Sequence, residues 1–285
     1  MLRHYAIIFS VFAVISAKAI TLDKVRFHNE ASDTTKITNL LAAGTEFSSP
    51  QQRIAYVAKQ FIGTPYVGGT LDCQPEMLTV NLDEVDCTTF VETVMALAYT
   101  IGERRLSWHD FLFNLERLRY RNGEMSDYGS RLHYISDWVV DNVHRGNFAE
   151  VTNQLPGCDY IVKTLDFMSR NADKYPQLAD STQLERIKNA EIGYRSHRFP
   201  YIKKERIGSK IVSTALREGD IVALTTKIPG LDVSHMGVIV IDNDIPHLLH
   251  ASSSVGKVVI DKYPLAEYLR RGRNLTGIRV FRLTE

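Results

Sequence analysis

The sequence predicts an α+β domain, with helices in the first part of the chain and an antiparallel sheet in the last third. Two observations carry that reading. Helix-start signals precede periodic apolar runs at Ser49-Pro50, Asp86-Cys87 and Ser107-Trp-His-Asp110. The last third instead holds short β-branched runs at 219–224, 234–241, 247–251 and 257–260, separated by Pro, Gly, Asn and Asp. A hydrophobic content of 44% over 285 residues supports one large domain or two small ones with a real core.

Residues 1–19 read as a secretory signal: Arg3 and His4 precede the apolar run Ala6 to Ile15, and Ala17-Lys-Ala19 has a small-x-small cleavage form. That run is short for a bilayer span, so export without membrane insertion is expected. Residues 20–48 are polar and weakly periodic, and are expected to form an extended lead-in. From Ser49-Pro50, the stripe Ile54, Val57, Ala58 and Phe61 predicts a helix that stops at Gly63. The Gly- and Pro-rich segment 63–71 that follows is an ordered loop carrying Tyr66, whose phenolic O–H could serve an oxyanion.

Phe90, Val91, Val94, Met95, Leu97 and Ala98 predict a buried helix with Cys87 at its first turn, where the unpaired N–H groups favour thiolate over thiol. Ser107 is expected to cap the next helix, with Asp110 completing a capping box. Residues 120–134 form a polar, aromatic loop suited to recognising a polar ligand. A helix over 132–144 ends at Gly146, a strand is expected at 160–165 and a helix at 181–194. Arg195, Arg198, Lys203, Lys204, Arg206 and Lys210 then form a basic run, either a solvated face or a steering surface. A helix near 265–271 and a strand at 276–283 finish the sheet domain.

A net charge of +1 argues against a general nucleic-acid or membrane-surface binder. Three cysteines in an exported chain is an odd count. If one pair bonds, Cys73 with Cys158 is the arrangement that spares Cys87. Cys73 precedes Gln74-Pro75 rather than an apolar helical run, so nothing aims its thiol. Thiol catalysis needs an imidazole to take and return a proton, and a polar group to orient the ring. His235 begins one strand and His250 ends the next; a hairpin would bring both to one sheet edge, with His235 facing Cys87. Nine histidines notwithstanding, no His-Glu-x-x-His or paired Cys-x-x-Cys spacing calls for zinc, and no metal or cofactor is expected.

Asp86-Cys87 at a helix start, Gly219-Asp-Ile-Val222, Ser234-His-Met-Gly-Val-Ile-Val240 and Leu249-His-Ala-Ser252 resemble, in the same chain order, the NlpC-like superfamily of papain-fold cell-wall hydrolases. The resemblance implies a papain-like fold with Cys87 as nucleophile, His235 as base, His250 as third member and Tyr66 beside the thiol. The long stretch between Cys87 and His235 departs from ordinary members. Its segments Leu118-Arg-Tyr-Arg-Asn-Gly123 and Tyr128-Gly-Ser-Arg-Leu-His-Tyr134, followed by Asp137-Trp138, are similar to a narrower family of exported N-acetylmuramoyl-L-alanine amidase-like proteins. That likeness runs from about residue 50 to the C-terminus. It implies a catalytic domain over 49–285 with a recognition insertion at about 103–210. The implied substrate is a muropeptide or peptidoglycan fragment cut between N-acetylmuramic acid and L-alanine. Tyr128, Ser130, Arg131 and His133 are candidates for its recognition. Rival expectations are a stem-peptide endopeptidase acting between D-glutamate and diaminopimelate, a non-catalytic peptidoglycan-binding protein, and an acyltransferase.

Overall fold

The computed structural model describes residues 20–284, so the signal-peptide reading of residues 1–19 lies outside it. After a 3-10 turn come β1 (Val25–Phe27) and α1 (Glu30–Gly44), then α2 (Pro50–Gln60), β2 (Leu78–Val80), α3 (Cys87–Gly102), α4 (Trp108–Arg119) and α5 (Ile135–His144). The central part adds β3 (Phe148–Glu150), β4 (Cys158–Lys163), α6 (Phe167–Arg170), α7 (Ser181–Ile192), β5 (His197–Lys203), α8 (Lys204–Ile207) and α9 (Lys210–Ser213). The chain then forms β6 (Ile221–Thr226), β7 (Val233–Asp242), β8 (Ile245–Ser252), β9 (Lys257–Pro264), α10 (Leu265–Arg271) and β10 (Leu275–Leu283).

The main sheet runs β4-β5-β10-β6-β7-β8-β9, antiparallel throughout, with β3 pairing the C-terminal end of β10. Its strands alternate between two cores, as the period-2 geometry of strands requires. Met236, Val238, Leu249, Ala251 and Ala223 face α1 to α5, around Phe90, Val94 and Trp138. Ile239, Leu248, Val222, Leu224 and Val280 face the other way, against Leu265 and Leu269 of α10 and Ile207 of α8. A smaller third core is built from Tyr128, Tyr134, Leu165, Met168, Leu178 and Ile187, with Leu231 packed against it. Among the described residues no helix is long and apolar enough to cross a membrane.

Several expectations need correction. Residues 20–48 are not an extended lead-in, because they contain the 15-residue helix α1. Asn29 caps it by accepting from the Ser32 N–H, and Ile37 and Leu41 are buried against the helical core. Buried Asp33 accepts from the N–H groups of Asn29 and Leu82, both at 3.0 Å, which ties α1 to the chain after β2. Leu41→Ala is accordingly expected to lower the unfolding free energy by about 2–5 kcal/mol, read by chemical denaturation.

The helix expected from 132 begins at Ile135, since Leu132 to Tyr134 are drawn into the loop that pairs with Arg119 and Tyr120. Ser107 caps α4 by accepting from the His109 N–H, whereas Asp110 turns toward Arg105 at 3.7 Å instead of closing a capping box. All three cysteines are free thiols, so Cys73 and Cys158 are not bonded. The central stretch also supplies three strands of the main sheet: β3, and the pair β4 and β5. Half of the basic run stitches that pair together: Lys203 pairs with Asp159 at 2.6 Å, Arg198 lies 4.0 Å over the Tyr160 ring, and Arg206 donates to the Gly157 carbonyl.

Candidate active site

Cys87 is the first residue of α3. Asp86 is the cap, its carboxylate accepting the N–H groups of Thr88 and Thr89 at 3.0 and 2.8 Å, while Thr89 Oγ1 takes the Asp86 N–H in return. The apolar face of α3 packs on β7 and β8, which fixes the height of its first turn against the sheet. There the Cys87 sulfur meets the backbone N–H groups of Met236 and of Cys87 itself. The residue before Met236 is His235.

β7 and β8 form a hairpin whose two-residue turn, Asn243-Asp244, has positive φ at both positions, the twist-matched geometry for a tight hairpin. The register sets Val238 against Leu249, hence Gly237 against His250. His235 lies two residues from Gly237 on the same face, so the imidazoles meet on a diagonal, His235 Nε2 standing 2.6 Å from His250 Nδ1. Both strands are interior to the sheet, so the pair does not lie on an edge strand as the sequence led us to expect. Gly237 keeps the space between them open: a Cβ there would fall 3.1 Å from the His250 Cβ and 2.8 Å from the Leu249 carbonyl. Gly237→Val should therefore displace His250 and cut turnover at least about tenfold, with an intact circular-dichroism spectrum as the control.

Two residues that sequence reasoning missed complete the surroundings. Asp261 of β9 presents Oδ2 at 3.6 Å from His250 Nε2, longer than a hydrogen bond, and the Tyr268 ring of α10 sits edge-on to His250 at 5.3 Å. The signal for Asp261 was strand alternation: Val259 pairs with His250, and Asp261 is two residues on. Nothing local marked Tyr268. Tyr66 is held near the thiol by its N–H to the Gly256 carbonyl and by a bridge to Val85.

Electrostatics reverse one expectation. Burial pushes the Cys87 thiol up to about 11, and the Asp86 carboxylate adds to the rise, outweighing the two N–H groups at the sulfur. Burial is the larger cause of the reversal, and the cap adds to it: Asp86 takes up the next two amides and places a negative charge beside the sulfur. Burial also drives His235 down to about 3, with His250 adding to the fall. The resting pair is thus neutral thiol and neutral imidazole. Iodoacetamide should alkylate Cys87 slowly at pH 7, the rate rising about tenfold per pH unit through the alkaline range. A rate already saturated at pH 7 would contradict this.

The proposed recognition residues lie together but are occupied by the protein. Tyr128, Ser130 and Arg131 are buried. Arg131 pairs with Glu76 at 2.7 Å, donates to the Leu71 carbonyl and lies 5.1 Å over the Tyr128 ring. Ser130 Oγ donates to the Asp127 carbonyl, and His133 Nε2 lies 2.8 Å from the Tyr128 carbonyl. Arg131 thereby fastens the 71–76 loop, which follows the Tyr66 segment, and the other three hold Arg131's own loop. Among the described residues, no group of three or more His, Cys, Asp or Glu is arranged to hold a metal ion.

The chain is similar over its length to solved structures with the same arrangement of elements. A crystal structure of an N-acetylmuramoyl-L-alanine amidase from Bacteroides uniformis is 36% identical with a TM-score of 0.78, covering 83% of this chain and 99% of that one. A Bacteroides fragilis structure, provisionally named a xylanase, is 39% identical with a TM-score of 0.74, covering 80% and 99%. A Legionella pneumophila protein at 23% identity and a TM-score of 0.70 shares the fold, over 90% and 96%. No curated protein matches. The AmiA-like family, described as N-acetylmuramoyl-L-alanine amidase-like, matches residues 56–278. With that span matched and its α+β fold shared, the chain belongs to the N-acetylmuramoyl-L-alanine amidase-like family.

Proposed function

We propose that this protein is a thiol-dependent amidase on a papain-like, NlpC-type fold that hydrolyses the bond between N-acetylmuramic acid and L-alanine in muropeptides. The observation that carries the reading is that the Cys87 sulfur, at a helix N-terminus, takes the amide N–H of Met236, the residue next to His235, whose ring is hydrogen-bonded to His250. Family membership supports the choice of bond. Export through the residue 1–19 leader belongs to the same proposal, since this substrate lies outside the cytoplasm.

Chemistry follows from the neutral resting pair. His235 takes the Cys87 proton as sulfur attacks the lactyl carbonyl, so thiolate forms only as the C–S bond forms. In this scheme the Cys87 N–H, released from the sulfur as the C–S bond forms, and the Tyr66 hydroxyl hold the oxyanion. Collapse breaks the C–N bond, and His235 returns its proton to the departing L-alanine amine. Water, deprotonated by His235, then cleaves the thioester and restores the thiol. Tyr128, Ser130, Arg131 and His133 enter this scheme as the support of the cleft wall beside Tyr66, rather than as direct ligands of the sugar. A glycosidase would instead need two carboxyl groups flanking a sugar bond. Near Cys87 the candidates are Asp86, which caps α3, and Asp261, which stands behind His250.

Mass spectrometry of defined muropeptides tests the bond: release of a free peptide beginning with L-alanine is expected. A cut inside the stem would instead make the protein an endopeptidase. Because His235 stays unprotonated down to about 3, the base form holds above that pH. kcat/KM should therefore keep its value as pH falls from 7 to 5, and a decline centred near the ordinary histidine range would contradict the neutral pair.

A further inference from the structure

We propose that Asp261 is a positioning residue that fixes the proton arrangement of the histidine pair: it holds the His250 proton on Nε2 and so leaves His235 Nδ1 bare as the base. The inference rests on the reading above, in which His235 takes the Cys87 proton.

A neutral imidazole has one N–H and one bare nitrogen. The 2.6 Å contact between His235 Nε2 and His250 Nδ1 therefore has two possible directions. If His250 Nδ1–H donates, His250 Nε2 is bare and its lone pair confronts the Asp261 carboxylate, which can only accept. His235 must then carry its proton on Nδ1, and has no lone pair left for the thiol. If His235 Nε2–H donates, His250 accepts on Nδ1 and turns its Nε2–H toward Asp261 Oδ2 at 3.6 Å. His235 Nδ1 is then free.

Three features favour the second arrangement. His250 is 1% exposed, so water does not decide the matter. Its Nε2 has no partner at hydrogen-bond distance among the described residues, which makes the facing carboxylate the dominant influence on that nitrogen. The carboxylate is itself held, because Oδ1 accepts from the Tyr263 N–H at 2.8 Å and leaves Oδ2 for the ring. The backbone carbonyl of the same residue lies 3.0 Å from His247 Nδ1, pinning the strand. As His235 gains a proton during the reaction, the same charge also favours the imidazolium across the pair.

The test compares wild type with Asp261→Asn and Asp261→Glu, using ¹⁵N NMR of the histidine rings alongside kinetics on a defined muropeptide. Asparagine can donate to His250 Nε2 and invert the pattern, whereas glutamate keeps an acceptor-only carboxylate. In wild type, protons on Nε2 of both His235 and His250 are expected. In Asp261→Asn the His250 proton should move to Nδ1, with kcat falling about 10²–10⁴-fold and KM staying within about threefold. Asp261→Glu should retain the wild-type ring signals and recover at least about tenfold of the lost kcat. Unchanged ring signals in Asp261→Asn, or a kcat within about threefold of wild type, would overturn the proposal. The NMR comparison is independent of turnover. Failure of wild type to cleave any muropeptide would count against the amidase reading and leave the Asp261 assignment to be decided by the spectra.

Discussion

Replacing Cys87 with alanine is expected to lower turnover by at least about 10³-fold while leaving the fold in place. The thiol makes few structural contacts; its side-chain partner is Thr88 Oγ1 at a distant 4.0 Å. The cap that holds the start of α3 belongs to Asp86 and Thr89, not to Cys87. The melting temperature should therefore stay within a few degrees, and muropeptide affinity should persist in the variant. Serine should fail as well, since its hydroxyl is a far weaker acid than a thiol and meets the same buried, neutral histidine pair. A Cys87→Ala protein that keeps wild-type turnover would remove the basis for thiol catalysis.

The largest expected stability effect lies one turn further along the same helix. Glu92 and Arg119 are joined at 2.6 Å with side chains only 3% and 2% exposed, and Arg119 also donates to the Thr79 carbonyl at 2.7 Å. This pair locks α3 to α4 and β2, and so holds the height of Cys87 against the sheet. Burial already raises the Glu92 carboxyl above its ordinary range, with Arg119 opposing the rise. Arg119→Ala strands the carboxylate in the core and should cost about 3–5 kcal/mol, or roughly 10 °C in melting temperature. The double replacement Glu92→Leu with Arg119→Leu should be less damaging than the single one, because no uncompensated charge remains. Equal destabilisation by both would place the effect in packing instead.

Much of this architecture was legible because its signals are local. The Asp86 cap with the apolar run behind it located α3, and the β-branched runs around Asn243-Asp244 located the hairpin that joins His235 to His250. The helix α1 was hidden because Ile37 and Leu41, its deeply buried apolar residues, stand among Thr, Asn and Lys, giving a thin stripe. β4 lies within two residues of the strand expected at 160–165, whereas β5 was obscured by a different cause. Its run His197-Arg-Phe-Pro-Tyr-Ile-Lys203 places a proline and flanking charges among the apolar positions, and its pairing to β10 spans distant sequence. Asp261 and Tyr268 join the site through strand register and the placement of α10, which short-range patterns do not encode. The thiol's protonation was misjudged for a related reason: the burial of the sulfur, which raises it most, comes from tertiary packing, and the cap at the helix N-terminus adds an opposing charge.

Acid-quenched mixing of protein and muropeptide, followed by mass analysis of the Cys87-containing peptide, tests the central claim most directly. The account predicts a transient adduct on Cys87 equal to the N-acetylmuramoyl group through its lactyl carbonyl, with the L-alanine-initiated peptide already released. An adduct carrying stem-peptide residues, or turnover with no acyl group ever attached to Cys87, would contradict it.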